Sequence, residues 1–402
     1  MKQFKLIVFL FFNFSLFTSC EALANIQSSN KPSNTQQNTQ QNNPIGTIRV
    51  DPIQYPVSKD RIPTTAVLPG TRINYEQNPY GTRYKNYIFS NYNIKTEAYI
   101  QNSVNYSGVS KNLVMDIFTP ANDNEVNRPC IIFLYGGGFS MKIDDGLQEI
   151  CKSMVLRGYV VAAIDYRIGF NGDKVAANCG GNVYNDFLKA ELRATQDAIA
   201  AIKYIKSNAS RLGVNADLIF IGGQSAGAIA ALDAVYYDNS ETDKNLISSI
   251  GGSLDATTAN NLRNQSTKVA GVFALSGAIS NPKIIENPNN TPTLLVSGTC
   301  DELIYSNTGA IYKCDTRAAN KALPFPMIYG PEYIYEKLVQ KNNPTFTIKV
   351  CKGGHAMNNW GYQKVVDWVA GFTYAVMNNT FKSGTAIVYP DKTVCNEDDC
   401  SK

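Results

Sequence analysis

Residues Leu218–Ala228 read LIFIGGQSAGA, and no other stretch limits the fold of this chain as tightly. The apolar run Leu218, Ile219, Phe220 and Ile221 reads as a buried strand. Gly222-Gly223-Gln224-Ser225-Ala226-Gly227 follows, and then the small, helix-compatible Ala228, Ile229, Ala230, Ala231 and Leu232. Strand, Gly-x-Ser-x-Gly and helix together describe a strained turn that presents a serine hydroxyl. Gly223 and Gly227 then stand where a Cβ would strike the neighbouring strand and helix. A plainer reading of the same residues is a glycine-rich turn in which Ser225 caps the helix.

The surrounding sequence repeats this alternation. Continuous apolar runs at Pro129–Tyr135, Tyr159–Ile164, Val269–Leu275, Thr293–Val296 and Phe346–Val350 suit strands buried on both faces. Glu97–Tyr106 and Leu113–Phe118 read as a strand pair joined near Gly108. Helices are expected at Gly146–Leu156, Asp186–Leu212, Glu332–Gln340 and Gly361–Met377. In the second of these, Leu188, Leu192, Ile199, Ile202 and Ile205 recur at helical spacing before Gly213. Strands alternating with helices predict an α/β fold with a mostly parallel central sheet and helices on both faces. The chemistry of such sheets gathers outside the carboxyl ends of the strands.

Three groups fall at those ends. A serine hydroxyl needs a base, and the chain holds one histidine, His355, directly after the run Phe346–Val350. The base needs a carboxylate to fix its tautomer. Asp301 is the first acid after the run Thr293–Val296, and Glu302 is the alternative. Tyr135-Gly136-Gly137-Gly138-Phe139 offers backbone amides that no side chain obstructs. With the amide of Ala226 they can hold a developing oxyanion. The same glycines also suit a tight turn or a phosphate, but no Gly-x-Gly-x-x-Gly or P-loop accompanies them.

Outside this core, Lys2 and Lys5 precede the apolar stretch Leu6–Phe17, the pattern of an export leader. Cleavage after Ala24 gives a leader of residues 1–24. Cleavage before Cys20, within Phe17-Thr18-Ser19-Cys20, gives a leader of residues 1–19 and a lipid-anchored Cys20. Residues 25–48 form a linker rich in Asn and Gln with almost nothing to bury. The catalytic domain is expected over 49–402, with an N-terminal extension rich in Pro and Tyr. Its tyrosines (Tyr55, Tyr75, Tyr80, Tyr84, Tyr87, Tyr92) are expected to pack on the domain surface. In an oxidising setting the eight cysteines beyond Cys20 are compatible with disulfides. Cys130, inside an apolar run, reads as a buried free thiol. Cys395 and Cys400 could close a terminal loop. The net charge of +4 and the lack of a basic run argue against a nucleic-acid surface. No C-x-x-C pair or histidine cluster argues for zinc.

Tyr135-Gly136-Gly137-Gly138-Phe139 together with Gly223-Gln224-Ser225-Ala226-Gly227 resembles the type-B carboxylesterase and cholinesterase pattern. Ala162-Ala163-Ile164-Asp165-Tyr166-Arg167-Ile168-Gly169 matches the segment after the next strand in those enzymes. Gly298-Thr299-Cys300-Asp301 looks more like the hormone-sensitive-lipase branch, which usually has His where Tyr135 stands. The resemblance spans about Leu113–Met377 and implies an α/β-hydrolase fold of the carboxylesterase/lipase kind. It implies a serine ester hydrolase with catalytic Ser225, His355 and Asp301 and an oxyanion hole from Gly137, Gly138 and Ala226. It needs no cofactor and makes Asp165 and Arg167 structural. The expected partner is a small-molecule or polysaccharide-linked ester met outside the cytoplasm. A peptidase of the same fold and a non-catalytic binding module are the competing readings. The insertion at 304–331 is placed to cap the pocket. Cys300–Cys314 would pin the acid loop, and Cys300–Cys351 is the competing pair.

Overall fold

The computed structural model describes residues 80–170, 181–311 and 327–388. The expected leader, Cys20, the linker and the extension before Tyr80 lie outside them. So do Cys179, Cys314, Cys395, Cys400 and residues 312–326 of the expected cap. Strands and helices alternate: β1 (Tyr92–Val104), β2 (Ser110–Pro120), β3 (Arg128–Leu134), α1 (Leu147–Val155), β4 (Val160–Ile164), α2 (Gly181–Ser207), β5 (Val214–Gln224) and α3 (Ala226–Tyr236). There follow β6 (Gly271–Leu275), β7 (Thr293–Gly298), β8 (Thr308–Ala310), β9 (Met327–Tyr329), α4 (Pro331–Gln340), β10 (Thr345–Val350), α5 (Tyr362–Met377) and β11 (Gly384–Val388).

Nine of these strands form one sheet in the order β1-β2-β4-β3-β5-β6-β7-β10-β11. The β1–β2 and β2–β4 pairings are antiparallel, and every pairing from β4 to β11 is parallel. The expected mostly parallel sheet is therefore observed. All residues of β3, β4, β6 and β7 are buried. Because successive side chains point to opposite faces, that pattern requires cover on both sides. Helix α1 packs with α5, and α2 with α3. Each large aliphatic or aromatic side chain removed from water here contributes roughly 1.5–3 kcal/mol.

Two differences from the sequence reading have local causes. The helix expected over Asp186–Leu212 ends at Ser207, and a short helix Ala209–Leu212 follows. The break falls at Asn208, whose side-chain amide shares the Tyr204 carbonyl with its own backbone N–H, at 2.9 and 3.1 Å. Strand β11, five residues that bury only alternate positions, was not anticipated. Its run is too short and too mixed to stand out from a loop.

The described part of the extension packs as expected for Tyr84, which is buried and meets the Tyr159 ring edge-on at 5.2 Å. Tyr87 is partly exposed, under the Arg157 guanidinium. Arg167 is buried against Asp197, which accepts both its backbone N–H and its guanidinium. The Asp165 carboxylate takes Lys142 at 2.7 Å. Cys130 and Cys151 are free and fully buried.

Candidate active site

Ser225 joins β5 to α3 with φ 55° and ψ −122°, a conformation that non-glycine residues rarely hold. The flanking structure enforces it. The Ser225 N–H donates to the Leu275 carbonyl at 2.8 Å, and its own carbonyl accepts Ile229 N–H at 3.0 Å. A Cβ on Gly227 would come within 2.4 Å of the Leu134 and Tyr135 carbonyl oxygens, and one on Gly223 within 2.5 Å of Gly227. Ser225 does occupy the N-cap position, but its side chain makes no capping bond. The plainer capping reading of this serine does not hold.

The hydroxyl points instead to His355, with Oγ 2.8 Å from Nε2. The other ring nitrogen, Nδ1, lies 2.9 Å and 3.0 Å from the two carboxylate oxygens of Asp301. Asp301 is buried, and its Oδ1 also accepts the backbone N–H groups of Leu303 and Ile304 at 2.9 and 2.8 Å. Three hydrogen-bond contacts thus converge on one carboxylate and hold it in place. Glu302, the alternative acid, is exposed.

The three groups follow parallel strands of one sheet. Ser225 follows β5, Asp301 follows β7 and His355 follows β10, with β6 between the first two. The loops after β7 and β10 are stitched by Thr299 N–H to Val350 O, Cys300 N–H to Gly353 O and Lys352 N–H to Thr299 Oγ1, each at 2.9 Å. Ser276, just past β6, adds a tie that nothing in its local sequence announced. Its N–H donates to Val296 O at 2.8 Å and its hydroxyl to His355 O at 3.0 Å.

The glycine turn after β3 closes on itself. The Gly137 carbonyl accepts the N–H groups of Ser140 and Met141 and the Ser140 hydroxyl, at 3.0, 3.2 and 3.0 Å. Gly137 and Gly138 both adopt positive φ, 124° and 60°. Among the described residues, no carbonyl outside the helical and strand ladders accepts the N–H groups of Gly137, Gly138 and Ala226. Tyr135, at the base of the turn, donates its hydroxyl to Tyr166 O at 3.0 Å, and Tyr166 returns the bond to Tyr135 O at 2.9 Å. Their rings stack at 4.3 Å. Burial pushes both phenols well up, so each stays a donor. Among the described residues no cluster of His, Cys, Asp and Glu is arranged to hold a metal ion.

Comparison with known proteins adds the following. The model of the carboxylesterase family matches residues 75–291. Human cocaine esterase is 28% identical over 129 residues, covering 31% of this chain and 21% of that protein. Mouse pyrethroid hydrolase Ces2a is 27% identical over 121 residues, covering 29% and 19%. Gut esterase 1 of Caenorhabditis elegans is 26% identical over 167 residues, covering 40% and 28%. The chain thus spans less than a third of the length of these relatives. Among solved structures, Thermogutta terrifontis esterase 2 phosphonylated by cyclosarin aligns with a TM-score of 0.49 at 18% identity, covering 72% of this chain and 95% of that one.

Proposed function

The chain belongs to the carboxylesterase family, and on that premise we propose that it hydrolyses carboxylic esters through an acyl-enzyme on Ser225. The observation that carries this reading is the unbroken hydrogen-bonded line from Ser225 through His355 to Asp301. Ser225 Oγ attacks the ester carbonyl carbon while its proton passes to His355 Nε2. The carbonyl electron pair moves onto oxygen, where the amides of Gly137, Gly138 and Ala226 hold the charge. Collapse of that intermediate expels the alcohol, which takes the proton from Nε2. Water then adds to the acyl carbon as His355 removes one of its protons. The carboxylic acid leaves as Ser225 Oγ is reprotonated. Asp301 keeps the proton on Nδ1 and stabilises the imidazolium in both halves. The cycle balances with water as the only co-reactant.

The substrate is assigned by class, a small-molecule or polysaccharide-linked ester outside the cytoplasm. Relatives named for cocaine and pyrethroids support a small-molecule ester. The leader pattern at residues 1–24 supports export, with Cys20 as the lipid attachment point under the alternative cleavage. A disulfide between Cys300 and Cys351, part of the same proposal, would also fit an oxidising compartment.

The test is a fluorophosphonate probe, run beside a series of p-nitrophenyl esters of rising chain length and acetylated xylan. The wild type takes the probe on Ser225 and turns over at least one ester. Ser225→Ala does neither, while its thermal unfolding stays close to wild type. A folded wild type that resists the probe, or an active Ser225→Ala protein, overturns the assignment.

A further inference from the structure

Asp145 closes the loop that begins at the three glycines, and it stands outside the serine–histidine–carboxylate line. Its Oδ2 accepts the backbone N–H of Met357 at 2.7 Å, and its Oδ1 accepts the Tyr362 hydroxyl at 3.2 Å. Met357 is the second residue after His355 and opens a single helical turn, Met357–Trp360. Tyr362 opens α5. One carboxylate therefore ties the segment after β3 to the segment after β10, 212 residues away in sequence.

The bond to Met357 meets a need that its own segment leaves open. The first N–H groups of a helical turn have no partner within it. The residue before this turn, Ala356, has no side-chain oxygen to supply one. A side-chain oxygen at that end supplies the missing acceptor. Asp145 is thus a helix cap delivered from a different loop. The contact is also close in packing: a Cβ on Gly146 would come within 2.0 Å of the Tyr362 ring.

At its other end the loop is a closed unit. Ile143 N–H donates to Gly136 O at 3.2 Å, and the Gly137 carbonyl is held by Ser140 and Met141. An anchor at Asp145 therefore fixes the glycine amides relative to the histidine loop. We propose that Asp145 is a positioning residue that keeps these two loops in register, so that His355 Nε2 and the amides of Gly137 and Gly138 surround the same reacting carbon. This rests on the esterase reading above. A misplacement of about 1 Å in such an arrangement can cost on the order of 100-fold in rate.

The experiment compares Asp145→Ala and Asp145→Leu, which remove both acceptors, with Asp145→Asn. The asparagine keeps an oxygen for Met357 and an N–H that can donate to Tyr362. The readouts are kcat and KM on an ester the wild type hydrolyses, the inhibition constant of a trifluoromethyl ketone, and the unfolding temperature. In the alanine and leucine proteins kcat falls roughly 10- to 100-fold, with KM within about twofold. Ketone affinity falls in step with kcat/KM, and asparagine restores most of kcat. Should neither variant fold, Asp145→Ser, too short to reach Met357, is judged by the same criteria. An alanine protein with wild-type kcat, a loss confined to KM, or an asparagine protein no better than leucine overturns the proposal. A wild type that takes no fluorophosphonate and hydrolyses no ester removes the esterase reading and this inference together. An active wild type with an indifferent Asp145→Ala removes this inference alone.

Discussion

His355 Nε2 stands 2.8 Å from Ser225 Oγ across 130 residues of chain. The contact is held from three directions. The Ser225 N–H is bonded to the end of β6, the Ser276 hydroxyl just beyond β6 holds the His355 carbonyl, and Asp301 receives the far side of the imidazole ring. Each tie joins the ends of two different strands, so the geometry belongs to the sheet rather than to any one loop.

The two candidate acids separate cleanly by environment. Asp301 is buried under three donors, whereas Glu302 is exposed. Asp301→Asn is expected to lower kcat on the order of a thousandfold or more, because it disturbs the tautomer of His355. Glu302→Gln leaves kcat unchanged. Steady-state kinetics on both variants decide this, and the reverse pattern would move the acid to Glu302.

Gly227→Ala sets two effects against each other. Alanine gains about 1 kcal/mol over glycine in a helix. Its Cβ, however, would meet two backbone carbonyl oxygens at 2.4 Å. Backbone cannot step aside as a flexible side chain can, so a net loss of about 3 kcal/mol is expected. Urea unfolding measures it, and a more stable Gly227→Ala protein would show that the approach is looser than described.

Glu191 on α2 and Asp233 on α3 are buried carboxyls. Ser280 donates to Glu191 at 2.6 Å and Thr195 to Asp233 at 3.3 Å. The oxygens Glu191 Oε2 and Asp233 Oδ1 are buried and meet no donor. Burial pushes Glu191 up to about 7, and hydrogen bonds from Asp233 and Ser280 partly oppose the shift. Burial and the nearby Glu191 charge raise Asp233 well above the carboxyl range.

A folded pKa above the unfolded value of about 4.3 means that this stabilisation is complete at low pH. It is lost as pH rises through about 7. The unfolding temperature should therefore fall between pH 5 and pH 8, and Glu191→Gln should flatten that fall. Calorimetry of both proteins gives the answer, and parallel curves would exclude Glu191 as the source.

Burial pushes the thiols of Cys130 and Cys151 far up, so neither offers a thiolate near neutral pH. Iodoacetamide followed by peptide mapping should leave both unmodified in native protein and alkylate both in urea. Rapid native labelling of either would mean that β3 or α1 opens more readily than its burial implies.

Local pattern carried much of this protein. The continuous apolar runs marked the strands of the parallel sheet, because burial on both faces leaves no room for alternating polar residues. The Gly-x-Ser-x-Gly turn marked Ser225, and the single histidine left one imidazole to meet its hydroxyl. Strand β11, which buries every other residue over only five positions, carried no such mark.

Other features had to wait for the fold. The choice between Asp301 and Glu302 depends on which of two adjacent side chains turns inward from the loop after β7. The roles of Ser276 and Asp145 depend on the order β5-β6-β7-β10 and on a loop that crosses to Met357. The sequence by itself determined the elements and the turn that presents Ser225, since periodicity and turn chemistry act over a few residues. Only the tertiary structure decided which strand ends become neighbours, since that order comes from packing the whole sheet and leaves no short-range trace in the chain.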